Sequence, residues 1–211
     1  MLNDYYLFWS ISLGLNIDAF AVKDFARTSE GHYLRKHGET YAFLFRDLRL
    51  GKQVFAAPAQ ITVPPLKPAA FDDIDLGFES AANFKPSHEG FDIRSLNDPA
   101  SFLSQLSDDD RDTLDLEDDF ALALYLDDAA AAAARFVRVK SCPQIADITV
   151  AVLPQYRGRG FAVPLVSALV AEILKTGLTP KYRAAVNNHS SLATGQKLGF
   201  RPLFSLKTWE I

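Results

Sequence analysis

Apolar and polar positions along the 211-residue chain recur with two periods, near 3.6 and near 2, and the changes of period mark its elements. Residues 5–22 form an apolar run interrupted by Asn16 and Asp18, which predicts a buried helix. Two strand-like runs follow, Tyr41-Ala42-Phe43-Leu44-Phe45 and Gln53-Val54-Phe55-Ala56-Ala57. A charged turn containing Gly51 separates them, so they read as a hairpin. Residues 61–68 carry prolines at 64, 65 and 68, and the stretch from there to Pro86 is rich in Asp, Ser and Gly and reads as loop. A boundary is therefore expected between residues 86 and 90, dividing the chain into an N-terminal region, 1–87, and a C-terminal domain, 88–211.

Beyond it, Phe91-Asp92-Ile93-Arg94 alternates like a short strand, and Asp98-Pro99 supplies an N-cap followed by proline at the first helical position, predicting a helix over 99–106. The acids Asp108, Asp109 and Asp110 suit either a second helix start or a solvated loop. Residues 120–126 are strand-like, and Asp127-Asp128 marks a turn. The alanines at 129–134 favour helix by propensity. An isolated helix of alanines buries little, however, and the alternation Phe136-Val137-Arg138-Val139 extends backwards through them, so a strand is expected. Residues 145–153 form the strongest strand, ended by Pro154. After a glycine-rich turn, Val166, Leu169, Val170, Ile173 and Leu174 share one helical face, closed by Gly177. A strand at 182–186, a short helix at 190–198 and terminal strands complete the pattern.

With 48% apolar and 23% charged residues, the chain has the composition of a folded globular protein rather than a disordered one. A net charge of −4 offers no basic field, which argues against nucleic acid or an anionic membrane as partner and suits a neutral or cationic one. Cys142 is the single cysteine and four scattered histidines have no ligand spacing, so neither a disulfide nor a metal is expected. Met1-Leu2-Asn3-Asp4 carries no positive side chain ahead of the first apolar run, so neither a secretory signal nor a membrane span is expected, and the cytoplasm is the expected location. Trp9 and Trp209 read as core or edge aromatics, and Cys142 as a small apolar filler.

The candidate chemistry lies where the strongest strand turns into the helix, at Gln155-Tyr156-Arg157-Gly158-Arg159-Gly160. Glycines permit a tight turn, and unpaired N–H groups at a helix start attract an anion, so strand, glycine turn and helix together can hold phosphate. Arg157 and Arg159 add positive charge, and Gln155 can hydrogen-bond across the loop. The segment lacks the Gly-Lys-Ser/Thr ending of a nucleotide-binding loop, and no third glycine follows at the dinucleotide spacing.

The whole segment Val152-Leu153-Pro154-Gln155-Tyr156-Arg157-Gly158-Arg159-Gly160 resembles the Val-x-Pro-x-Tyr-Arg-Gly-x-Gly signature of the GNAT superfamily of N-acetyltransferases. Downstream, Asn188-His189-Ser190-Ser191 leading to Leu198-Gly199-Phe200 resembles that superfamily's Asn-x-x-Ser/Ala run ending in Leu-Gly-Phe. The resemblance covers residues 88–211. It implies an α/β (α+β) fold, a mixed and mostly antiparallel sheet with helices on both faces, to which residues 1–87 add a helix and a hairpin. It further implies acetyl-CoA as co-substrate and an amine-bearing acceptor. Loop amides from Gln155 to Phe161 would cradle the pyrophosphate, the backbone at Val150, Ala151 and Val152 would pair with the pantetheine arm, and Asn188 and Ser191 would contact it.

Such a reaction needs a neutral amine, a polarised carbonyl and a proton for the departing thiolate. Asp147 stands where several members of the superfamily carry a catalytic glutamate, and is the candidate base. Many members place a tyrosine, the general acid, four residues before the glycine of Leu-Gly-Phe; Gly195 occupies that position here. Thr194, Ser191, Tyr182 and Tyr125 are the candidate replacements, and His189 reads as an exposed helix-start residue. Three readings follow: an acetyl-CoA-dependent N-acetyltransferase, a non-catalytic acyl-CoA-binding or interaction module of the same fold, and an enzyme using a longer acyl donor.

Overall fold

The computed structural model describes residues 1–13, 25–28, 35–36, 39–56, 73–108, 110–111 and 122–210. In chain order the elements are α1 (Leu2–Leu13), β1 (Phe25–Thr28), β2 (Arg35–Lys36), β3 (Glu39–Asp47), β4 (Gln53–Ala56), β5 (Asp73–Gly77), β6 (Asp92–Arg94), α2 (Pro99–Ser104), β7 (Leu122–Leu126), β8 (Ala129–Arg138), β9 (Ile145–Val152), α3 (Ala162–Lys175), β10 (Thr179–Ala185), α4 (His189–Lys197) and β11 (Arg201–Glu210). The strands form one open sheet in the order β1-β4-β3-β11-β5-β10-β9-β8-β7-β6, with β2 on β3. Among the described strands, β1 with β4 and β9 with β10 pair in parallel and all other neighbours are antiparallel. This is the mixed, mostly antiparallel α/β architecture expected from the sequence.

Strand alternation sends successive side chains to opposite faces, and each face of the sheet carries its own helices. Ala146 and Ile148 of β9 join Leu165, Val166, Leu169, Val170 and Ile173 of α3 in the largest core. On the other face, Ile145 packs with Tyr5, Phe8 and Trp9 of α1, and Ala151 with Phe102 of α2. The alanine run is a strand, as its continuation into Phe136-Val137 required. Ala131, Ala132, Ala133 and Ala134 are fully buried because their small side chains let helices approach from both faces. Asp98 caps α2 by accepting from Ser101 N at 2.9 Å, with Pro99 at its first position. Gly177, at φ +74°, follows the last turn of α3.

Two expectations change, and a third is only partly covered by the described residues. The first helix is described over Leu2–Leu13, and the rest of the 5–22 run lies outside the described residues, as do the prolines at 64, 65 and 68. The end of the chain is one strand, β11, rather than several. The stretch read as loop contains β5, which is inserted between β10 and β11 and is antiparallel to both. The expected boundary at 86–90 thus falls after a strand that is hydrogen-bonded on both edges to residues 182–185 and 201–206.

The reason the sequence hides β5 is Asp75, an acid that signals loop when met alone but is only 4% exposed here. Its carboxylate accepts from Arg183 Nε at 2.6 Å and from Trp9 Nε1 at 3.1 Å, with Lys181 Nζ 3.7 Å away. Burial pushes Asp75 up, but the Arg183 guanidinium and Lys181 ammonium outweigh it and hold the carboxyl below its ordinary range.

Removing one member of a buried ionic group costs about 3–5 kcal/mol, so Asp75→Ala should lower unfolding stability by about that amount in urea titration. Because the folded-state value is depressed, this contribution is complete above the unfolded carboxyl value of about 3.9 and is lost as pH falls through the folded one. The variant should therefore show a shallower loss of stability on acidification than the wild type.

Candidate functional site

Between Pro154–Tyr156, a single 3-10 turn, and α3, the chain makes its glycine turn with Gly158 at φ +77° and Gly160 at φ +82°. Both angles are in the left-handed region that disfavours side chains, and no atom stands within 4 Å of where a Cβ would project from either. Open space thus borders the turn. The α3 helix that follows has no side-chain cap and no acidic residue in its first turn. Val163 N donates to Gly160 O at 3.1 Å and Pro164 has no N–H, so the Ala162 N–H and the positive end of the dipole are what this start offers to an anion.

The second part of the site is a fork between parallel strands. β9 and β10 are paired from Ile145↔Thr179 to Ile148↔Tyr182, and there the pairing ends. Beyond that point β10 continues against β5, while β9 continues against β8 alone. The gap opens into a cavity of about 590 Å³. Val150, Ala151 and Val152 line it along β9, Tyr156, Arg157, Gly158, Gly160 and Phe161 line it at the turn, and Asn188 and Ser191 line it from the start of α4. These ten residues singled out from the sequence converge on one cavity. Asn188 uses its Oδ1 to cap α4, accepting from Ser191 N at 3.0 Å and Ser190 Oγ at 2.9 Å.

Gln155 and Arg159 are not among the lining residues. Gln155 Nε2 donates to Gln105 Oε1 at 3.4 Å, which ties the turn to the end of α2, and the Arg159 guanidinium lies 5.6 Å from the centre of the Tyr156 ring. Arg157 is also engaged. Its Nε donates to Val152 O at 3.1 Å and its Nη2 to Asp110 Oδ1 at 2.8 Å. Hydrogen bonds from Ser107 and Arg157 hold the Asp110 carboxyl below its ordinary range. Among the described residues lining the cavity, Asp110 is the one acid. Nothing in the sequence signals this pairing across 47 positions.

Asp147 lies on the opposite face of β9 from Ile148, the face that carries α1 and α2, and does not line the cavity. Its Oδ2 accepts from Lys181 Nζ at 2.9 Å, and the carboxylate is 40% exposed while the lysine is 1% exposed. Lys181 is thus held between Asp147 and the buried Asp75. The sequence shows Lys181 and Arg183 alternating within the stretch that forms β10, but not the acids that pair with them.

Of the four candidate proton donors, Tyr182, Ser191 and Thr194 line the cavity, and Tyr125 does not. The Tyr125 hydroxyl donates to Ser95 O and accepts from Asn97 N at 3.2 and 3.0 Å, beside a smaller cavity of about 270 Å³. Thr194 Oγ1 donates to Ser190 O within α4. The hydroxyls of Tyr182 and Ser191 are 2.7 Å apart. His189 is exposed at the start of α4. Cys142 is 1% exposed, and burial pushes its thiol up, in keeping with a filler. No group of three or more metal-ligating side chains occurs among the described residues. No described helix is long and apolar enough to cross a membrane.

Residues 124–208 match the family model described as GNAT acetyltransferase. Among solved structures, the chain is similar to an acetyltransferase of the GNAT family from Colwellia psychrerythraea, with 15% identity and a TM-score of 0.52 over 67% of this chain and 56% of that one. The chain therefore spans little more than half the length of that protein. It is also similar to a GNAT-family protein from Novosphingobium aromaticivorans (18% identity, TM-score 0.48, 82% of this chain and 75% of that one). A third is yncA from Salmonella typhimurium, solved with acetyl-CoA (16% identity, TM-score 0.44, 58% of this chain and 94% of that one). No curated protein matches the sequence. The fold is that of the GNAT acetyltransferases.

The placement of Asp110 has a measurable consequence. A carboxylate at an exposed charge contact is worth up to about 1 kcal/mol, and this one both repels an incoming anion and occupies Arg157. Asp110→Asn should tighten binding of inorganic pyrophosphate about fivefold in calorimetry at low salt; weaker binding would mean that Asp110 serves the site by fixing Arg157.

Proposed function

We propose that the protein is an acyl-CoA-dependent N-acyltransferase that passes an acetyl group from acetyl-CoA to a primary amine by direct transfer. The observation that carries this reading is that one cavity joins an uncapped helix start, behind two glycines in the left-handed region, to the unpaired edge of a parted parallel strand. The first suits a pyrophosphate and the second an amide-containing arm that adds to a strand edge. A cavity of about 590 Å³ has room for that arm.

The amides of the 158–161 turn hold the phosphates, with Arg159 and, once drawn from Asp110, Arg157 supplying charge. The edge of β9 at Val150, Ala151 and Val152 aligns the pantetheine, which Asn188 and Ser191 contact from α4. Alignment confines the thioester end to the fork, where positioning lowers the barrier by making attack effectively unimolecular. Asp147, one residue before the last paired position of β9, takes the proton of the attacking amine directly or through water. Lys181 fixes its orientation. Residues 1–87 act as part of the same unit: β5 stiffens β10 behind the fork, and α1 lies on the face from which the acceptor reaches Asp147. The net charge of −4 favours a cationic or neutral acceptor.

Two observations favour a second reading, a coenzyme-binding module without turnover. Asp147 is ion-paired and outside the cavity lining, and Gly195 presents no side chain to it. Acceptor-dependent release of coenzyme thiol separates the two.

Gly158→Asp places a negative side chain in the open space beside the turn and should abolish acetyl-CoA binding in calorimetry while leaving the melting temperature within a few degrees. Unchanged affinity would sink the reading. Asp147→Asn should leave acetyl-CoA affinity unchanged and lower kcat about 100-fold, the low end for loss of a general base; an unaltered kcat would assign Asp147 a structural part only.

A further inference from the structure

We infer that Tyr182, hydrogen-bonded to Ser191, is the acid that protonates the departing coenzyme thiolate; this rests on the acyl transfer proposed above. The attack forms a C–N bond and breaks the C–S bond, the amine proton leaves by way of Asp147, and the sulfur must gain a proton as it departs. The donor has to stand where the strands part, since the sulfur lies at the far end of the pantetheine from the phosphates. Among the described residues, two phenols line the cavity, Tyr156 and Tyr182. Tyr156 belongs to the 3-10 turn at the phosphate end, whereas Tyr182 is the last β10 residue paired with β9.

Tyr182 is placed there by the core rather than by a loop. It is 2% exposed, and its ring packs with Phe200 and Leu76. Gly195 makes this possible: a Cβ at that position would stand 3.3 Å from Tyr182 Cδ1 and 3.2 Å from Leu76 Cδ2. A larger side chain on α4 would displace the ring, so the bare glycine and the buried tyrosine form one arrangement. The hydroxyl reaches out of this packing to Ser191 Oγ at 2.7 Å. Ser191 is half-buried and is fixed at the start of α4 by the Asn188 cap. It can return a proton to the phenolate from the cavity after each turnover. Burial pushes the Tyr182 hydroxyl above its ordinary value, so it remains protonated through the neutral range.

Tyr182 and Asp147 also lie on opposite faces of the sheet. Tyr182 shares the α3 core, while Asp147 is on the face of α1 and α2. They stand at the last two paired positions of the β9–β10 ladder, where the gap begins. A thioester held in that gap meets the amine and its base from one face and releases sulfur toward the acid on the other.

The test compares wild type, Tyr182→Phe and Ser191→Ala for thiol release from acetyl-CoA with a panel of aliphatic diamines, amino acids and a lysine-rich peptide. Acetyl-CoA binding by calorimetry and the solvent deuterium isotope effect on kcat are measured alongside. Tyr182→Phe should keep acetyl-CoA affinity within about twofold, lower kcat about 100-fold and change the isotope effect. Ser191→Ala, which leaves the core packing intact, should lower kcat about tenfold and change the isotope effect, with any loss of acetyl-CoA affinity limited to its one pantetheine contact, and stands as the deciding arm if Tyr182→Phe does not fold. Retention of kcat within about threefold and an unchanged isotope effect in a folded Tyr182→Phe, or in Ser191→Ala, would overturn the assignment alone. A wild type that binds acetyl-CoA but releases no thiol with any amine would overturn it together with the transfer reading.

Discussion

Hydrogen bonding between β9 and β10 stops at Ile148 and Tyr182, and the rest of the site depends on that limit. Two parallel strands that stayed paired would leave no cavity and no open strand edge. Their parting needs support on both outer edges, because an unsupported strand that loses a neighbour tends to find another. β9 has that support in β8, paired along residues 132–138, and β10 has it in β5, paired along 73–76. The α3 helix, packed on β9 and β8, then brings its uncapped start to the open end of the gap.

The buried ionic cluster is what joins the first part of the chain to this fork. Asp75 from β5, Lys181 and Arg183 from β10 and Trp9 from α1 meet through charge-assisted contacts, and Lys181 extends the cluster to Asp147 on β9. Tyr5 adds a further tie from α1 by donating to Pro180 O and accepting from Phe78 N at 3.2 Å. Such a cluster contributes little net stability over an apolar equivalent, yet it penalises any arrangement that leaves one member unpaired. It therefore fixes the register of β5 against β10. The same lysine that secures the sheet pairs with Asp147, one residue before the β9–β10 pairing ends, so stability and candidate chemistry share residues.

Much of this was legible in the sequence because it rests on local rules. Asp98-Pro99, Gly177 and the hydrophobic stripe of α3 specify helix ends and faces within a few residues. The glycine turn and the Asn188 segment were visible as motifs, and both reach the cavity. The alanine strand was legible from its continuation into Phe136-Val137, against propensity. What stayed hidden depends on long-range pairing. β5 looked like loop because Asp75 is neutralised by Lys181 and by Arg183, the latter 108 positions away. Arg157 looked like a phosphate ligand, but Asp110 holds it. The singling out of Tyr182 from Tyr125 and Thr194 required the position of the fork, which no local pattern records.

The central claim is that an acyl group crosses from a thioester in the fork to an amine. It is tested most directly by incubating the protein with acetyl-CoA carrying a deuterated acetyl group and the amine panel, and weighing every component by mass spectrometry. The account predicts an amine that gains one labelled acetyl group in step with the free coenzyme formed. Coenzyme that binds and is recovered acetylated, with every amine unchanged, would contradict it.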